Sequence, residues 1–216
     1  MTRFVLVRHG ETVWHAENRY AGSSDIAMTQ RGYEQAELLA GWAKTAGLEA
    51  LWCSTLGRAR ETAAAVARTT GLEPHPDARL RELDFGQGEG RTTAEMHALF
   101  PEALAAFYDD PAANHLPGGE DPHRAVQRAL DCLQEIARAH PDGRVLVVAH
   151  TTLLRLVLCG VLGLPLSTYR RVFPFVRNGA VTEIRLEPEH NRAALLEFNN
   201  PIPTEPSLGP EQEGAP

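Results

Sequence analysis

The chain has 216 residues, which suffices for one domain with its own hydrophobic core and without disulfide or metal cross-links. It carries 21 Lys and Arg against 28 Asp and Glu, a formal net charge of −7, which disfavours nonspecific binding to nucleic acid or anionic membranes. Any site for an anion must therefore be a local cluster of positive groups.

The first apolar run predicts a buried strand. The residues FVLV, from Phe4 to Val7, do not alternate with polar residues, a pattern typical of a parallel strand covered on both faces. This strand ends directly at Arg8 and His9, so a cation and an imidazole follow a run of buried residues. A cation in that position needs a partner, and an anionic ligand would supply one.

Helices and strands alternate in the next part of the chain, marked by capping residues, apolar positions at helical spacing and terminal glycines. In chain order we expect a helix over about 30–46 capped by Thr29, a strand over 50–53, and a helix capped by Ser54 or Thr55 that runs to about 70.

Residues 72–120 are the least regular part of the sequence. They contain the glycine-rich stretch FGQGEG and two short helical patches, around 92–99 and 101–109. We expect a small lid insertion over about 86–118.

The regular alternation then resumes. Asp121 followed by Pro122 is a strong helix start, since a capping residue precedes proline at the first helical position. Further on we expect a strand VLVVA, a helix capped by Thr151 that runs to about 163, and a hairpin of AVTEIRLE and AALLEFN with its turn at 188–191.

Composition also predicts the domain boundary and the cellular location. Residues 201–216 are rich in proline and acidic residues and predict a disordered tail after a domain over 1–200. The first apolar run is too short for a signal peptide, and Arg155 interrupts the most apolar stretch, over 153–166, which is too short to span a membrane. Three widely spaced cysteines predict reduced thiols, so we expect a cytoplasmic protein.

Strands that alternate with helices predict an α/β fold, a three-layer α/β/α sandwich with a mostly parallel sheet. In such sheets ligands bind outside the carboxyl ends of the strands. We therefore expect Arg8, His9, Arg58 and His150 to meet at one crevice, where Thr151 begins a helix and presents its positive end. This set predicts a pocket for a phosphoryl group.

The residue types suit phosphoryl transfer. Planar guanidinium groups match the oxygens of a phosphoryl group, and a neutral histidine can attack phosphorus to form a phosphohistidine. Glu82 can protonate the leaving oxygen and then activate water, with Asp84 and Glu89 as nearby alternatives.

Five motifs, RHGET, STLGRARETA, RELDFGQGEG, PGGED and VVAH, resemble in this order the histidine phosphatase superfamily, which has the phosphoglycerate-mutase-like fold. The resemblance implies that His9 is the phosphorylated nucleophile, that Arg8, Arg58 and His150 hold the phosphate, and that Glu82 donates the proton, without a metal or other cofactor. The short stretch between Glu82 and the glutamate of PGGED is similar to the small bacterial branch, which includes broad-specificity and alpha-ribazole phosphatases.

Two residues depart from the family pattern, which usually has asparagine in place of His15 and glycine in place of Thr151. Both positions lie near the phosphate in the family, so we expect them to bind substrate and to affect its selection.

The sequence leaves several alternatives open. The chain could be a phosphoglycerate mutase, or a noncatalytic module that only binds phosphorylated ligands, and a zinc site of His9, His15 and His150 is a further rival. The resemblance implies a small phosphorylated metabolite as the partner but does not identify it. The hairpin at the sheet edge offers a contact for a homodimer.

Overall fold

The computed structural model describes residues 1–187 and 192–203. Within these ranges six strands form one sheet: β1 (Thr2–Arg8), β2 (Ala50–Ser54), β3 (Pro74–Asp77), β4 (Arg144–Ala149), β5 (Val181–Glu187) and β6 (Arg192–Asn200). The helices are α1 (Val13–Ala16), α2 (Gln30–Ala43), α3 (Gly57–Thr70), α4 (Thr93–Leu99), α5 (Pro101–Asp109), α6 (Pro122–Ala139), α7 (Thr151–Leu162) and α8 (Tyr169–Val172).

The strand order across the sheet is β3-β2-β4-β1-β5-β6. The first four strands of this order run parallel, whereas β5 is antiparallel to β1 and β6 is antiparallel to β5. The predicted mostly parallel sheet with an antiparallel hairpin at one edge is therefore confirmed. The turn predicted at 188–191 lies outside the described residues.

Helices cover both faces of the sheet, which explains why the first strand does not alternate. On one face Val5 and Val7 of β1 join a cluster with buried residues of α2 and α3. On the other face Phe4 and Leu6 join a larger cluster with residues of α6 and α7. Each face buries its own apolar side chains, so β1 is apolar at every position from Phe4 to Val7.

Several predicted helix ends are confirmed. The hydroxyl oxygen of Thr29 accepts a hydrogen bond from the N–H of Gly32 at 3.1 Å, and the carboxylate of Asp121 accepts one from His123 at 2.8 Å. Gly71 and Gly163 adopt left-handed conformations (φ 74° and 67°) that terminate α3 and α7.

Two predicted capping residues were wrong, and one helix is shorter than expected. The N-cap of α3 is Leu56. The hydroxyl of Ser54 instead accepts a hydrogen bond from the Leu56 N–H at 3.3 Å, in the turn before the helix. The N-cap of α7 is His150, which leaves Thr151 as its first residue. Helix α2 ends at Ala43, before the predicted residue 46.

Sequence patterns missed the shortest elements. Strand β3 contains two prolines, which are tolerated because this strand lies at the edge of the sheet, with a partner on one side only. Helices α1 and α8 have four residues each, too few to show a helical period. Helices α4 and α5 agree with the two predicted patches of the lid.

The core extends slightly past the predicted domain boundary. Ile202 packs against the cluster that contains Val5 and Val7, so residue 201 is too early for the start of a tail. Residues 204–216 lie outside the described part. Across the described ranges no helix is both long and apolar enough to cross a lipid bilayer.

Candidate active site

Four of the predicted site residues meet at the carboxyl end of the parallel strands. Arg8 is the last residue of β1, His9 follows it, His150 follows β4, and Arg58 lies in the first turn of α3. The rings of His9 and His150 have their centroids 5.1 Å apart, and Nε of Arg58 donates to Nε2 of His9 at 3.2 Å. Strand order produces this meeting, because β4 lies between β1 and β2.

The backbone around His9 sets the orientation of its ring. Nδ1 lies 2.7 Å from the carbonyl oxygen of Gly10, so Nδ1 carries the proton and Nε2 keeps its lone pair. The Gly10 N–H donates to Thr62 at 3.0 Å, and the Asn178 amide donates to the His9 carbonyl at 2.7 Å. A Cβ on residue 10 would clash with the Gly32 carbonyl oxygen, so this turn requires glycine.

Both histidines are neutral at physiological pH. Burial, and then the charge of Arg58, hold the pKa of His9 and of His150 well below the ordinary value. Neither ring nitrogen of His150 has a hydrogen-bond partner among the described residues, although the side chain is buried. A buried imidazole without partners beside two arginines is typical of a site that binds an anion.

Arg58 is held by a loop that Glu89 stabilises. Its guanidinium, 1% exposed, donates to the carbonyls of Ser24 at 2.7 Å and Gly22 at 2.9 Å. The carboxylate of Glu89 accepts from the N–H groups of the same two residues, each at 2.9 Å. Glu89, which the sequence offered as an alternative acid, is thus a structural anchor here.

His15 lies beside Arg8 at the rim of this pocket. Its Nδ1 accepts a hydrogen bond from the Thr12 N–H at 2.9 Å. Nε2 lies in hydrogen-bond contact with Nη2 of Arg8, so His15 and Arg8 together line the place where an anion would bind. Burial lowers the pKa of His15 to about 4 and that of Arg8 to about 10.

Glu82 lies at the N-terminus of α7. Its carboxylate accepts hydrogen bonds from the N–H groups of Leu83 at 2.8 Å and of Thr152 and Leu153 at 2.9 Å each. Burial raises the pKa of the carboxyl, while these donors and then Arg58 act in the opposite direction. Glu82 and His150 therefore share one helix terminus.

Arg128 of α6 positions the loop that carries Glu82, and sequence patterns gave no sign of it. Its guanidinium donates to the carbonyls of Arg79, Arg81 and Glu82 at 2.7, 2.8 and 3.3 Å. The same group forms a bidentate ion pair with Glu120 at 2.7 and 2.8 Å.

Two further candidate site residues, Asp84 and Thr151, differ in where they lie. Asp84 is exposed, and its carboxylate accepts the N–H of Gly86 at 2.8 Å in a local turn. Thr151, as the first residue of α7, lies at the positive end of that helix next to His150. In the described part of the chain, no group of three or more His, Cys, Asp or Glu side chains is placed to hold a metal ion.

Comparisons with known proteins identify the family of this chain. The profile of the histidine phosphatase superfamily (branch 1) matches residues 4–201. The chain is 32% identical over 199 residues to phosphoserine phosphatase 1 of Hydrogenobacter thermophilus, which covers 92% of each chain. It is 33% identical over 184 residues, 85% of each chain, to a probable phosphoglycerate mutase GpmB of Erwinia tasmaniensis.

A solved structure shows the same fold. The alpha-ribazole phosphatase of Shigella flexneri superposes with a TM-score of 0.81 at 27% sequence identity. The superposition covers 94% of this chain and 100% of that chain.

Proposed function

We propose that this chain, which belongs to the histidine phosphatase superfamily (branch 1), is a phosphatase that hydrolyses a small phosphomonoester through a phosphohistidine on His9. The observation that carries the proposal is the His9 ring itself. The Gly10 carbonyl fixes the proton on Nδ1, and the lowered pKa leaves Nε2 as a free base at neutral pH. A neutral imidazole with its lone pair turned towards arginine is prepared to attack an anionic phosphoryl group.

In the first step, Nε2 of His9 attacks phosphorus as the bond from phosphorus to the ester oxygen breaks. Arg8 and Arg58 neutralise the charge on the phosphoryl oxygens, and His15 and the helix end at Thr151 add donors. Nε of Arg58, which donates to Nε2 in the free enzyme, would turn to a phosphoryl oxygen.

Glu82 acts as the general acid in the first step and as the general base in the second. In its protonated form, which the buried setting favours, it protonates the departing alkoxide. In the second step the Glu82 carboxylate accepts a proton from water, whose oxygen attacks phosphorus as the N–P bond breaks. Free His9, protonated Glu82 and inorganic phosphate result, so the cycle returns to its start.

We propose that this chemistry needs no metal ion. Two guanidinium groups supply the charge that a Lewis acid would otherwise supply to phosphoryl oxygens. Treatment with EDTA is expected to leave turnover unchanged. Inhibition that added zinc reverses would favour the rival site of His9, His15 and His150.

A mutase remains the second candidate, because the relative from Erwinia tasmaniensis is named as a probable phosphoglycerate mutase. The two reactions share the phosphohistidine and differ in whether water or a second hydroxyl accepts the phosphoryl group. With 3-phosphoglycerate, a phosphatase releases inorganic phosphate and a mutase forms 2-phosphoglycerate. The noncatalytic alternative is set aside, since the family and its named relatives are enzymes.

We further propose a cytoplasmic enzyme that acts on a small phosphorylated metabolite and does not bind nucleic acid. The three cysteines are free and buried, as expected of a reducing compartment. Strand β6 is the sheet edge and carries the exposed side chains of Leu195 and Leu196, which supports a homodimer contact there.

The decisive experiment is to trap the intermediate. Rapid quench of the enzyme with ³²P-labelled substrate should place the label on His9, in a bond that acid cleaves and base does not. His9→Ala should abolish both labelling and turnover. Multiple turnover by His9→Ala would contradict the covalent mechanism.

A further inference from the structure

The peptide unit between His9 and Gly10 is held on both sides by side chains from other parts of the chain. The His9 carbonyl accepts a hydrogen bond from the side-chain amide of Asn178 at 2.7 Å. The Gly10 N–H donates to the hydroxyl of Thr62, in α3, at 3.0 Å. Because the C=O and N–H groups of a trans peptide point in opposite directions within one rigid plane, these two bonds fix the tilt of that plane.

The next peptide unit, between Gly10 and Glu11, is held in a similar way. The Glu11 N–H donates to the side-chain carbonyl of Gln35, in α2, at 2.9 Å. On the opposite side of this plane, the Gly10 carbonyl accepts the proton of His9 Nδ1 at 2.7 Å. The bond to Gln35 therefore helps to aim the carbonyl that receives the His9 proton.

Glycine at position 10 makes this turn dependent on support from outside. Glycine has more backbone freedom than any other residue, because it has no Cβ. A larger residue does not fit, since a Cβ on Gly10 would clash with the Gly32 carbonyl, and a Cβ on Gly32 would clash with the Glu11 carbonyl. The close approach of α2 thus requires the most mobile residue in the turn, so hydrogen bonds must supply the restraint that a side chain would otherwise give.

Thr62 is oriented by the single proton of its hydroxyl. This buried hydroxyl donates to the Arg58 carbonyl, one helical turn earlier in α3, at 2.8 Å. Its lone pairs are then available to the Gly10 N–H. Since the guanidinium of Arg58 contacts Nε2 of His9, the hydroxyl of Thr62 connects the backbones of two residues of the phosphate site.

Asn178 is placed beside the turn by pairing with the end of β1. The Gly179 N–H donates to the Arg8 carbonyl at 2.9 Å, and Arg8 and Asn178 form an isolated parallel bridge. The Arg8 guanidinium in turn donates to the Val176 carbonyl at 2.8 Å. The segment that carries Asn178 therefore contacts both His9 and the arginine next to it.

Three uncharged side chains thus surround the turn, and we call them the turn clamps: Gln35, Thr62 and Asn178. We propose that the turn clamps are positioning residues, which keep the proton of His9 on Nδ1 and aim the lone pair of Nε2 at phosphorus. The inference rests on the proposed phosphohistidine mechanism, because only the tautomer with its proton on Nδ1 has Nε2 free for attack. Since the clamps carry no charge, they should affect the rate of attack more than the binding of phosphate.

Thr62→Val tests the role of the clamps, because it removes the hydroxyl at nearly constant volume. With p-nitrophenyl phosphate, whose leaving group needs no general acid, the first turnover reports the attack by His9. We expect the rate of phosphoenzyme formation to fall by roughly 10–100-fold, since small misplacements of reacting groups are costly. The inhibition constant of inorganic phosphate should change less than about threefold. Thr62→Ser keeps the hydroxyl and should restore most of the rate.

Thr69 provides the matched control on the same helix. Its hydroxyl donates to the Ala40 carbonyl at 2.9 Å, away from the phosphate site. Thr69→Val loses a comparable hydrogen bond and should keep the wild-type rate of phosphoenzyme formation, even where its melting temperature falls. Equal slowing of Thr62→Val and Thr69→Val would reduce the role of Thr62 to stability of the fold.

The protonation site of His9 gives a readout that does not depend on turnover. ¹⁵N NMR of histidine-labelled enzyme distinguishes protonated from free ring nitrogens, and His9→Asn identifies the His9 signals. Wild type should show a proton on Nδ1 alone. Asn178→Leu and Gln35→Met, which remove one hydrogen bond each, should show a mixture of the two tautomers.

A double variant tests whether two clamps act on the same peptide unit. Thr62→Val and Asn178→Leu release opposite sides of one plane, so the second release should add little to the first. The double variant should be slower than the slower single variant by less than about threefold. A loss equal to the product of the two single effects would contradict a shared action.

Further outcomes separate this inference from the proposed function. Wild-type rates and a single tautomer in every variant would overturn the positioning role and leave the phosphohistidine mechanism intact. Weaker phosphate inhibition in proportion to the fall in rate would overturn it too, because the clamps would then act on the arginines and not on the nucleophile. Failure of wild type to label His9 would contradict the proposed function, while the NMR comparison would still decide whether the clamps set the tautomer.

Discussion

Oε2 of Glu82 accepts a hydrogen bond from the N–H of Thr152 at 2.9 Å, although 70 positions separate the two residues in the chain. Thr152 lies in the first turn of α7, which His150 caps. This bond therefore couples the proposed acid to the terminus where the second histidine enters the phosphate pocket. The bond also fixes the position of the Glu82 carboxyl, because it ties this loop side chain to the N-terminus of α7.

Glu82→Gln is expected to slow alkyl phosphates far more than p-nitrophenyl phosphate. An alkoxide leaves as a strong base and needs a proton, whereas p-nitrophenolate departs without one. The difference should reach something like the 10²–10⁴-fold typical of general acid catalysis. Phosphoenzyme formation must be followed by rapid quench, because the second step uses Glu82 with either ester. Equal slowing of both esters would remove Glu82 from the acid role.

Arg128→Met is expected to reduce kcat more than it changes KM, because it frees the loop that positions Glu82. The loss of its ion pair and three carbonyl contacts should also destabilise the fold by about 1–3 kcal/mol. Glu135→Gln, which removes an exposed partner of Arg79, is the matched control and should stay within about 0.5 kcal/mol of wild type. Urea unfolding and steady-state kinetics measure both effects. A variant with normal kcat would show that Glu82 does not need this support.

Two substitutions of His15 separate its hydrogen bonds from its ring. Asparagine can accept the Thr12 N–H and still offer a donor beside Arg8, so His15→Asn should remain active with an altered ranking of substrates. His15→Leu keeps the bulk and loses both functions, and its kcat/KM should fall by roughly 10-fold or more. The ranking is read from a panel of phosphomonoesters. Wild-type behaviour of His15→Leu would make His15 an ordinary rim residue.

Stability should fall as the pH is lowered from about 7 to 5.5. His9 and His150 have folded pKa values well below the ordinary value, so near pH 6 the unfolded chain binds protons that the folded chain cannot bind. Each such group contributes up to about 1.4 kcal/mol per pH unit in this window, and the effect vanishes at higher pH where both states are neutral. Urea unfolding in buffers free of phosphate provides the measurement.

His9→Asn should flatten this pH dependence, since it removes one of the buried bases. The exposed His97 serves as the control, and His97→Asn should retain the wild-type slope. Identical slopes for wild type and His9→Asn would contradict a suppressed pKa at His9.

Removal of residues 204–216 should leave the melting temperature and turnover unchanged, because this polar, proline-rich segment has too few apolar residues to form a core. Removal of residues 201–216 should lower the melting temperature by a few degrees, since it also deletes Ile202 from its packed position. Equal melting temperatures for the two truncations would show that Ile202 contributes little. A large loss with the shorter deletion would place part of 204–216 in the fold.

Local sequence patterns correctly predicted the layered α/β architecture and brought the central residues of the site together. The run FVLV predicts a strand buried on both faces, and parallel strands bring their carboxyl ends to one edge, so Arg8, His9 and His150 could be placed together. These inferences succeed because they depend on local patterns and on a general rule of topology. The same rule placed Arg58 at this edge, and the motif resemblance favoured Glu82 over the nearby carboxylates Asp84 and Glu89.

The contacts that hold these groups in place could not be predicted from the sequence. The carbonyls that hold Arg58, the anchoring of its loop by Glu89 and the contact of Arg128 with the Glu82 loop all join residues far apart in the chain. Whether Glu89 is an acid or an anchor depends on which segments pack together. Hydrogen bonds of this kind depend on how the whole domain packs, so local sequence patterns do not predict them.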